Sequence, residues 1–128
     1  MSTKWMTSLA AAVGLAAVLV SSPAASATTA AYDPPACPKE YFCIWASNGF
    51  GGNDVVVKTK TNWEGRAVGG WAFNNGTPSP GYDHVQLYWY FEGQSFQRCL
   101  HYNPGPGEYQ LSFPSKATFY KIVWRGEC

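Results

Sequence analysis

The chain has 128 residues, with nine basic and eight acidic side chains and a formal net charge of +1. This near-neutral balance argues against a nucleic-acid partner and against electrostatic binding to a membrane, since both need clustered Lys and Arg. The length is enough for one domain and leaves little room for a second.

The first segment, residues 1–27, has the pattern of a secretion signal. Lys4 gives a positive start, residues 6–20 are uncharged and apolar, and Ala25-Ser26-Ala27 is a small-residue cleavage pattern. The apolar run is shorter than the roughly 20 residues of a membrane-spanning helix. We therefore expect a secreted, extracellular product without a membrane anchor. In it, residues 28–36 form a flexible leader and residues 37–128 a single domain.

All four cysteines lie beyond the expected cleavage point, at Cys37, Cys43, Cys99 and Cys128. An even number of cysteines in a small exported domain predicts disulfides. Three pairings are possible. We favour Cys37 with Cys43, which are close in sequence, and Cys99 with Cys128, which would tie the last residue to the sheet. A zinc site that used His84 or His101 with these cysteines lacks the usual ligand spacing, so we expect no metal and no cofactor.

The rest of the chain predicts short strands and no helix. Gly and Pro interrupt the sequence about every ten residues, and apolar residues alternate between them, as in a β-sandwich or barrel. Turn residues such as Asn74 and Asn75 separate the strands. The predicted strands are residues 42–45, 54–59, 70–74, 84–90, 95–102, 108–113 and 119–125.

A weak internal repeat is also visible. An apolar and aromatic pair precedes a Phe-x-Gly triplet twice, first at Phe50-Gly51-Gly52 and again at Phe91-Glu92-Gly93. The glycine would turn a folded-over hairpin in which a side chain would clash. The repeat predicts two related units in one domain.

No complete catalytic constellation accompanies these strands. Asp83 and His84 are adjacent, but no Gly-x-Ser-x-Gly element supplies a nucleophile, and the carboxylates are scattered along the sequence. We therefore predict no catalytic residues and no enzyme activity.

The segment at residues 37–45, CPKEYFCIW, followed by Phe50-Gly51-Gly52, resembles the opening of an actinobacterial peptidase-inhibitor family. That family is typified by the Streptomyces metalloproteinase inhibitor. Residues 73–77, FNNGT, and residues 124–128, WRGEC, are also similar to its members. The resemblance implies an all-β, βγ-crystallin-like fold of two Greek-key motifs packed as a β-sandwich. It also implies inhibition of an extracellular metalloprotease by a loop that occupies the protease cleft, and we expect a monomer.

In the typical inhibitor, the reactive bond follows the first cysteine of a second short disulfide loop. Cys99-Leu100 lies at a comparable place here, but Asn103-Pro104-Gly105-Pro106-Gly107 follows instead of a nearby cysteine. The inhibitory-loop candidates are thus Cys99, Leu100, His101 and Tyr102, within residues 99–107. The alternative is that Leu100 packs in a core strand.

Two other functions are compatible with the sequence. The chain could be a binding module for cell-wall polysaccharide, in which Trp63, Trp71, Trp89 and Tyr90 stack on sugars, or a killer-toxin-like antimicrobial protein. An exposed coplanar row of aromatic rings would favour sugar binding. Buried aromatics beneath a protruding Pro- and Gly-rich loop would favour inhibition. Residues 64–70 supply too few oxygen ligands for calcium, and Pro78 interrupts the closer candidate at residues 74–79, so we expect no tight calcium site.

Overall fold

A computed structural model of the protein describes residues 33–48 and 52–128. The predicted secretion signal and residues 50 and 51 of the first Phe-x-Gly triplet lie outside these ranges. The described residues form an all-β fold, which confirms the predicted class, and they contain no helix that is long and apolar enough to span a membrane. The six strands are β1 (Tyr41–Trp45), β2 (Val55–Thr59), β3 (Trp63–Asn75), β4 (His84–Phe91), β5 (Gln94–Leu100) and β6 (Gln110–Arg125).

The six strands form one antiparallel, hydrogen-bonded sheet in the order β2-β1-β3-β6-β4-β5. Each half of this order has the same connectivity. A hairpin comes first, and the third strand then pairs with the outer side of the hairpin's first strand. The halves meet where β3 pairs with β6. This arrangement is consistent with two related Greek-key units and with the repeat read from the sequence.

The second Phe-x-Gly triplet makes the turn between β4 and β5. Glu92 and Gly93 have φ angles of 50° and 78°, and Phe91 pairs directly with Gln94. Two consecutive residues with positive φ are the requirement of a type I′ hairpin turn. A Cβ atom at Gly93 would meet no other atom within 4 Å. The glycine is therefore required for its positive φ angle and not to avoid the steric clash that was predicted.

Two predicted strands, at residues 108–113 and 119–125, are joined in β6. Gly69 pairs with Ala117, whereas Trp71 pairs with Ser112, so β6 bulges strongly between its two paired segments. The predicted break therefore marks a bulge within one strand. Strand β3 begins at Trp63, well before the predicted residue 70, because pairing with β6 extends it through a stretch rich in Gly and charge.

The main hydrophobic core draws buried residues from every strand, so the sheet must curl over itself. A second cluster lies on the opposite face of β1 and β3 and contains Cys37, Cys43, Trp45, Trp71 and Phe73. Strand β1 is consequently buried on both faces: Phe42 and Ile44 belong to the main core, and the intervening Cys43 to the second cluster. Each large apolar side chain buried in this way contributes about 1.5 to 3 kcal/mol.

Both predicted disulfides are confirmed. Cys37 bonds Cys43 with a Cα–Cα distance of 6.0 Å, and Cys99 bonds Cys128 with a Cα–Cα distance of 5.7 Å. The second disulfide fixes the last residue against β5. Residues 33–36, the described part of the predicted leader, belong to the folded domain: Pro34 is buried and Ala36 packs against the second cluster.

Candidate functional site

The connection from β5 to β6 contains a closed loop of residues 102–108, called here the 102–108 loop. At its base, the His101 N–H donates to the Glu108 carbonyl at 2.8 Å. Within it, the Gly105 N–H donates to the Tyr102 carbonyl, also at 2.8 Å. Pro104, Pro106 and Gly107 are exposed. The loop therefore presents a short Pro- and Gly-rich surface on a hydrogen-bonded base.

Asn103 anchors this loop to the opposite half of the protein. It is only 2% exposed, and its N–H donates to the Asn74 carbonyl at 2.9 Å. Its side-chain amide donates to Asp33 Oδ1 at 3.2 Å and to Asn75 Oδ1 at 3.3 Å. Lys39 Nζ completes the network, at 2.8 Å from Asn75 Oδ1 and 3.1 Å from Asp33 Oδ1. One end of the loop is thus fixed by buried hydrogen bonds, which are costly to break.

Asn74 and Asn75 were predicted to form the turn that follows a strand over residues 70–74, and the turn prediction was wrong. Both end strand β3 and are fully buried. The Asn74 amide donates to the carbonyls of Asp83 at 3.0 Å and Leu100 at 3.2 Å, and its Oδ1 accepts from the Gly76 N–H at 2.9 Å. An Asn side chain carries both an amide donor and a carbonyl acceptor. Asn74 can therefore bond the chain at the start of β4 and at the end of β5 at the same time.

A charged contact closes the loop from the outside. Arg98 Nη1 lies 3.1 Å and 2.9 Å from the two carboxylate oxygens of Glu108. Both side chains are about half exposed, so the pair contributes little to global stability. Its position at the loop base makes it a local restraint on Glu108.

The four residues predicted for inhibition do not share one presented surface. Cys99 is half-buried in β5, and Leu100 is the last residue of that strand, fully buried in the main core and paired with Val85. While β5 stays paired, the Leu100 side chain cannot enter a protease cleft. His101 and Tyr102 are half-buried and lead into the 102–108 loop.

A buried carboxylate–histidine pair lies at the start of β4, beside the loop. Asp83 Oδ1 is 2.6 Å from His84 Nδ1, and the Ser79 N–H donates to Asp83 Oδ2 at 3.0 Å. Burial raises the pKa of Asp83, but the hydrogen bonds and the charge of His84 outweigh burial, so the pKa lies below its ordinary value. On the other side of the ring, His84 Nε2 is 3.5 Å from Glu127 Oε2.

The aromatic residues considered for sugar stacking are mostly in the interior. Trp71 and Trp89 are buried, and Trp63 packs at the edge of the main core. Tyr90 is 49% exposed and stacks on Tyr120 with ring centroids 4.6 Å apart. Three of the four candidates are therefore buried or half-buried, and only Tyr90 offers an exposed ring.

Comparison with known families matches residues 30–96 to peptidase inhibitor family I36. The chain belongs to this family. It is the family that residues 37–45 resemble, and membership makes the protein a peptidase inhibitor, with a protease as its partner, and not an enzyme. Searches of curated proteins and of solved structures found no match.

The match covers β1 to β4 and the start of β5. It also includes the residues whose hydrogen bonds anchor Asn103, which are Asp33, Lys39, Asn74 and Asn75. The 102–108 loop lies beyond the matched residues. Sequence reasoning found the loop by its Pro and Gly content but missed the anchor, since Asp33 and Asn103 are 70 positions apart. No local pattern marks a hydrogen bond over such a separation.

Proposed function

We propose that this inhibitor is exported, acts on extracellular metallopeptidases, and occupies their active-site cleft with the 102–108 loop. The observation that carries the proposal is the anchoring of buried Asn103 by hydrogen bonds to buried Asn74 and Asn75, directly beside exposed Pro104 and Pro106. A loop that is already ordered loses little conformational entropy on binding. Proline adds to this order because its ring fixes φ.

The metallopeptidase target is proposed from the resemblance of residues 37–45 to the Streptomyces inhibitor. Placing the contact at the 102–108 loop modifies the expectation that Cys99-Leu100 is the reactive bond, because Leu100 is fully buried. Of the original candidates, His101 and Tyr102 stay next to the proposed surface. Tyr102 packs against the His101 ring, with centroids 4.1 Å apart, which holds it at the loop entrance.

The test is titration of thermolysin with the oxidised protein, monitored with a fluorogenic peptide, alongside a serine peptidase. We expect stoichiometric inhibition of thermolysin and none of the serine enzyme. The double variant Pro104→Ala and Pro106→Ala should weaken inhibition by about 4- to 30-fold, since each proline saves about 0.4 to 1 kcal/mol of ordering entropy.

The matched control is Tyr90→Ala, an exposed residue near the far end of β4, which should inhibit like the unchanged protein. Inhibition of the serine enzyme alone would overturn the metallopeptidase target. Equal inhibition by the double-proline variant would overturn the loop assignment.

A second candidate function has one specific observation in its favour. Tyr120 of β6 contacts both Tyr88 and Tyr90 of β4, with ring centroids 6.0 Å and 4.6 Å away. A cluster of amphipathic rings of which Tyr90 is exposed offers a stacking surface for a sugar ring. Retention of the protein on insoluble cell-wall polysaccharide, with loss of retention in Tyr90→Ala, would support this function; passage through the matrix would exclude it.

A further inference from the structure

We propose that His84 and Glu127 bind a divalent transition metal such as Zn²⁺ beside the Cys99–Cys128 disulfide. The proposal is independent of the inhibitory function. Its ligand atoms are His84 Nε2 and Glu127 Oε2, and Asp83 orients the histidine from behind. One potential ligand atom from each of these three residues lies within 4.8 Å of those of the other two.

The first argument is the orientation of His84. Its side chain is almost fully buried, and its Nδ1 is 2.6 Å from the Asp83 carboxylate, which can only accept a hydrogen bond when ionised. Nδ1 is therefore the donor in this contact, and Nε2 is the ring nitrogen that is available to a metal. A carboxylate behind a histidine in this way is the usual outer partner of a metal-binding imidazole, since it fixes the tautomer and raises ligand basicity.

The second argument is the distance between the proposed ligand atoms. His84 Nε2 and Glu127 Oε2 are 3.5 Å apart, which is longer than a charged N–H···O hydrogen bond of about 2.7 to 2.9 Å. Two ligands on one tetrahedral zinc ion, with metal–ligand bonds of about 2.1 Å, stand about 3.4 Å apart. The observed separation thus matches the spacing of two ligands on one zinc ion.

The third argument is the surrounding cavity, of about 220 Å³, which both groups line together with His101 and Glu108. The protein's other histidine, His101, meets the His84 ring edge to face at a centroid distance of 4.5 Å. Its Nδ1 is 2.7 Å from the Tyr102 carbonyl, an acceptor, so its Nε2 is also left as the basic nitrogen. His101 is the nearest source of a further nitrogen ligand, and water can complete the shell.

The donor set decides the class of metal. Imidazole nitrogen with carboxylate oxygen suits zinc and its neighbours, whereas calcium and magnesium prefer oxygen ligands alone. The cysteines are excluded as ligands because all four are in disulfides. Bound metal would join the C-terminal Glu127 to the start of β4, next to the base of the 102–108 loop.

The test is calorimetric titration of the untagged, oxidised protein with Zn²⁺, repeated with Co²⁺ for its visible absorption. We expect saturation at one metal per chain, a Co²⁺ spectrum of nitrogen and oxygen ligation, and a melting temperature that rises with Zn²⁺ and falls back with EDTA. Glu127→Gln should weaken binding at least tenfold. Its fold should be unaffected, because the Glu127 side chain is 86% exposed.

Two further variants make the result specific. Glu64→Gln removes an exposed glutamate whose partner is Lys121, remote from the cavity, and should bind Zn²⁺ unchanged. Asp83→Asn keeps the side-chain shape but removes the charge behind His84, and should lower affinity by about 10- to 100-fold. Absence of saturable binding up to millimolar Zn²⁺ would overturn the proposal. Equal binding by Glu127→Gln would overturn it as well.

Discussion

The side-chain amide of Asn74 donates a hydrogen bond to the main-chain carbonyl of Leu100, with a donor–acceptor distance of 3.2 Å. Asn74 is the second-last residue of β3 in the first half of the protein, and Leu100 ends β5 in the second. The contact therefore fixes the point at which the chain leaves β5 for the 102–108 loop. The neighbouring Asn103 N–H donates to the Asn74 carbonyl, so one residue holds the loop by both its side chain and its backbone.

Replacing Asn74 with Ala should destabilise the protein by about 2 to 3 kcal/mol. The substitution leaves the buried carbonyls of Asp83 and Leu100 without their donor, and an unsatisfied buried polar group costs about 1 to 3 kcal/mol. Urea denaturation would measure the change in unfolding free energy. Asn53→Ala, at an exposed position, is the control and should change stability by less than about 0.5 kcal/mol. A similar small change for Asn74→Ala would contradict the proposed anchoring role.

Replacing Leu100 with Ala should separate the two interpretations of this residue. As a fully buried core residue, its truncation should cost about 2 to 5 kcal/mol of unfolding free energy. Inhibition by the folded fraction should change little, because the side chain does not reach the surface. The measurement pairs thermal unfolding with an inhibition assay well below the melting temperature. Loss of inhibition at unchanged stability would instead restore Leu100 as the residue that enters the protease cleft.

Replacing Arg98 with Ala should weaken inhibition more than it weakens the fold. The contact with Glu108 is half exposed, so its removal should cost less than about 1 kcal/mol of stability. Because Glu108 closes the base of the 102–108 loop, we expect several-fold weaker inhibition of the target peptidase. The control is Lys121→Ala, which removes an exposed pair with Glu64 away from the loop and should leave inhibition unchanged. If Arg98→Ala and Lys121→Ala changed inhibition by the same factor, the contact at the loop base would have no specific role in inhibition.

The sequence predicted those features that depend on local patterns or on counting. The all-β class follows from alternation and turn residues, and both disulfide pairs from the number and position of the cysteines. The first half of β3 was missed because Glu64 and Arg66 face solvent and Gly65 lacks a side chain, so no apolar alternation marks it. Its strand conformation comes from pairing with β6, which is distant in sequence.

The candidate site was predictable only in part for the same reason. Pro and Gly marked residues 103–107 as a loop, and that loop is exposed. The burial of Asn103 could not be read from the sequence, since Asn is ordinarily a surface or turn residue. Its hydrogen bonds to Asp33 and Asn75 arise only when the two halves of the sheet are brought together.

Removing the two disulfides separately should give unequal losses, because the loops that they close differ in length. The Cys99–Cys128 bond spans 29 positions and the Cys37–Cys43 bond spans 6. From the chain entropy of the unfolded state, replacing Cys99 and Cys128 with Ser should lower the free energy of unfolding by about 3 to 4 kcal/mol. Replacing Cys37 and Cys43 with Ser should lower it by about 2 to 2.5 kcal/mol.

The same two variants should also differ in inhibition. Cys99 lies three residues before the 102–108 loop, whereas the Cys37–Cys43 bond covers the second hydrophobic cluster. When both variants are assayed in conditions that keep them folded, as checked by circular dichroism, loss of the Cys99–Cys128 bond should weaken inhibition more. If the variant without the Cys37–Cys43 bond were instead the weaker inhibitor, the protease contact would lie near β1, and the 102–108 loop would act only as a connection between β5 and β6.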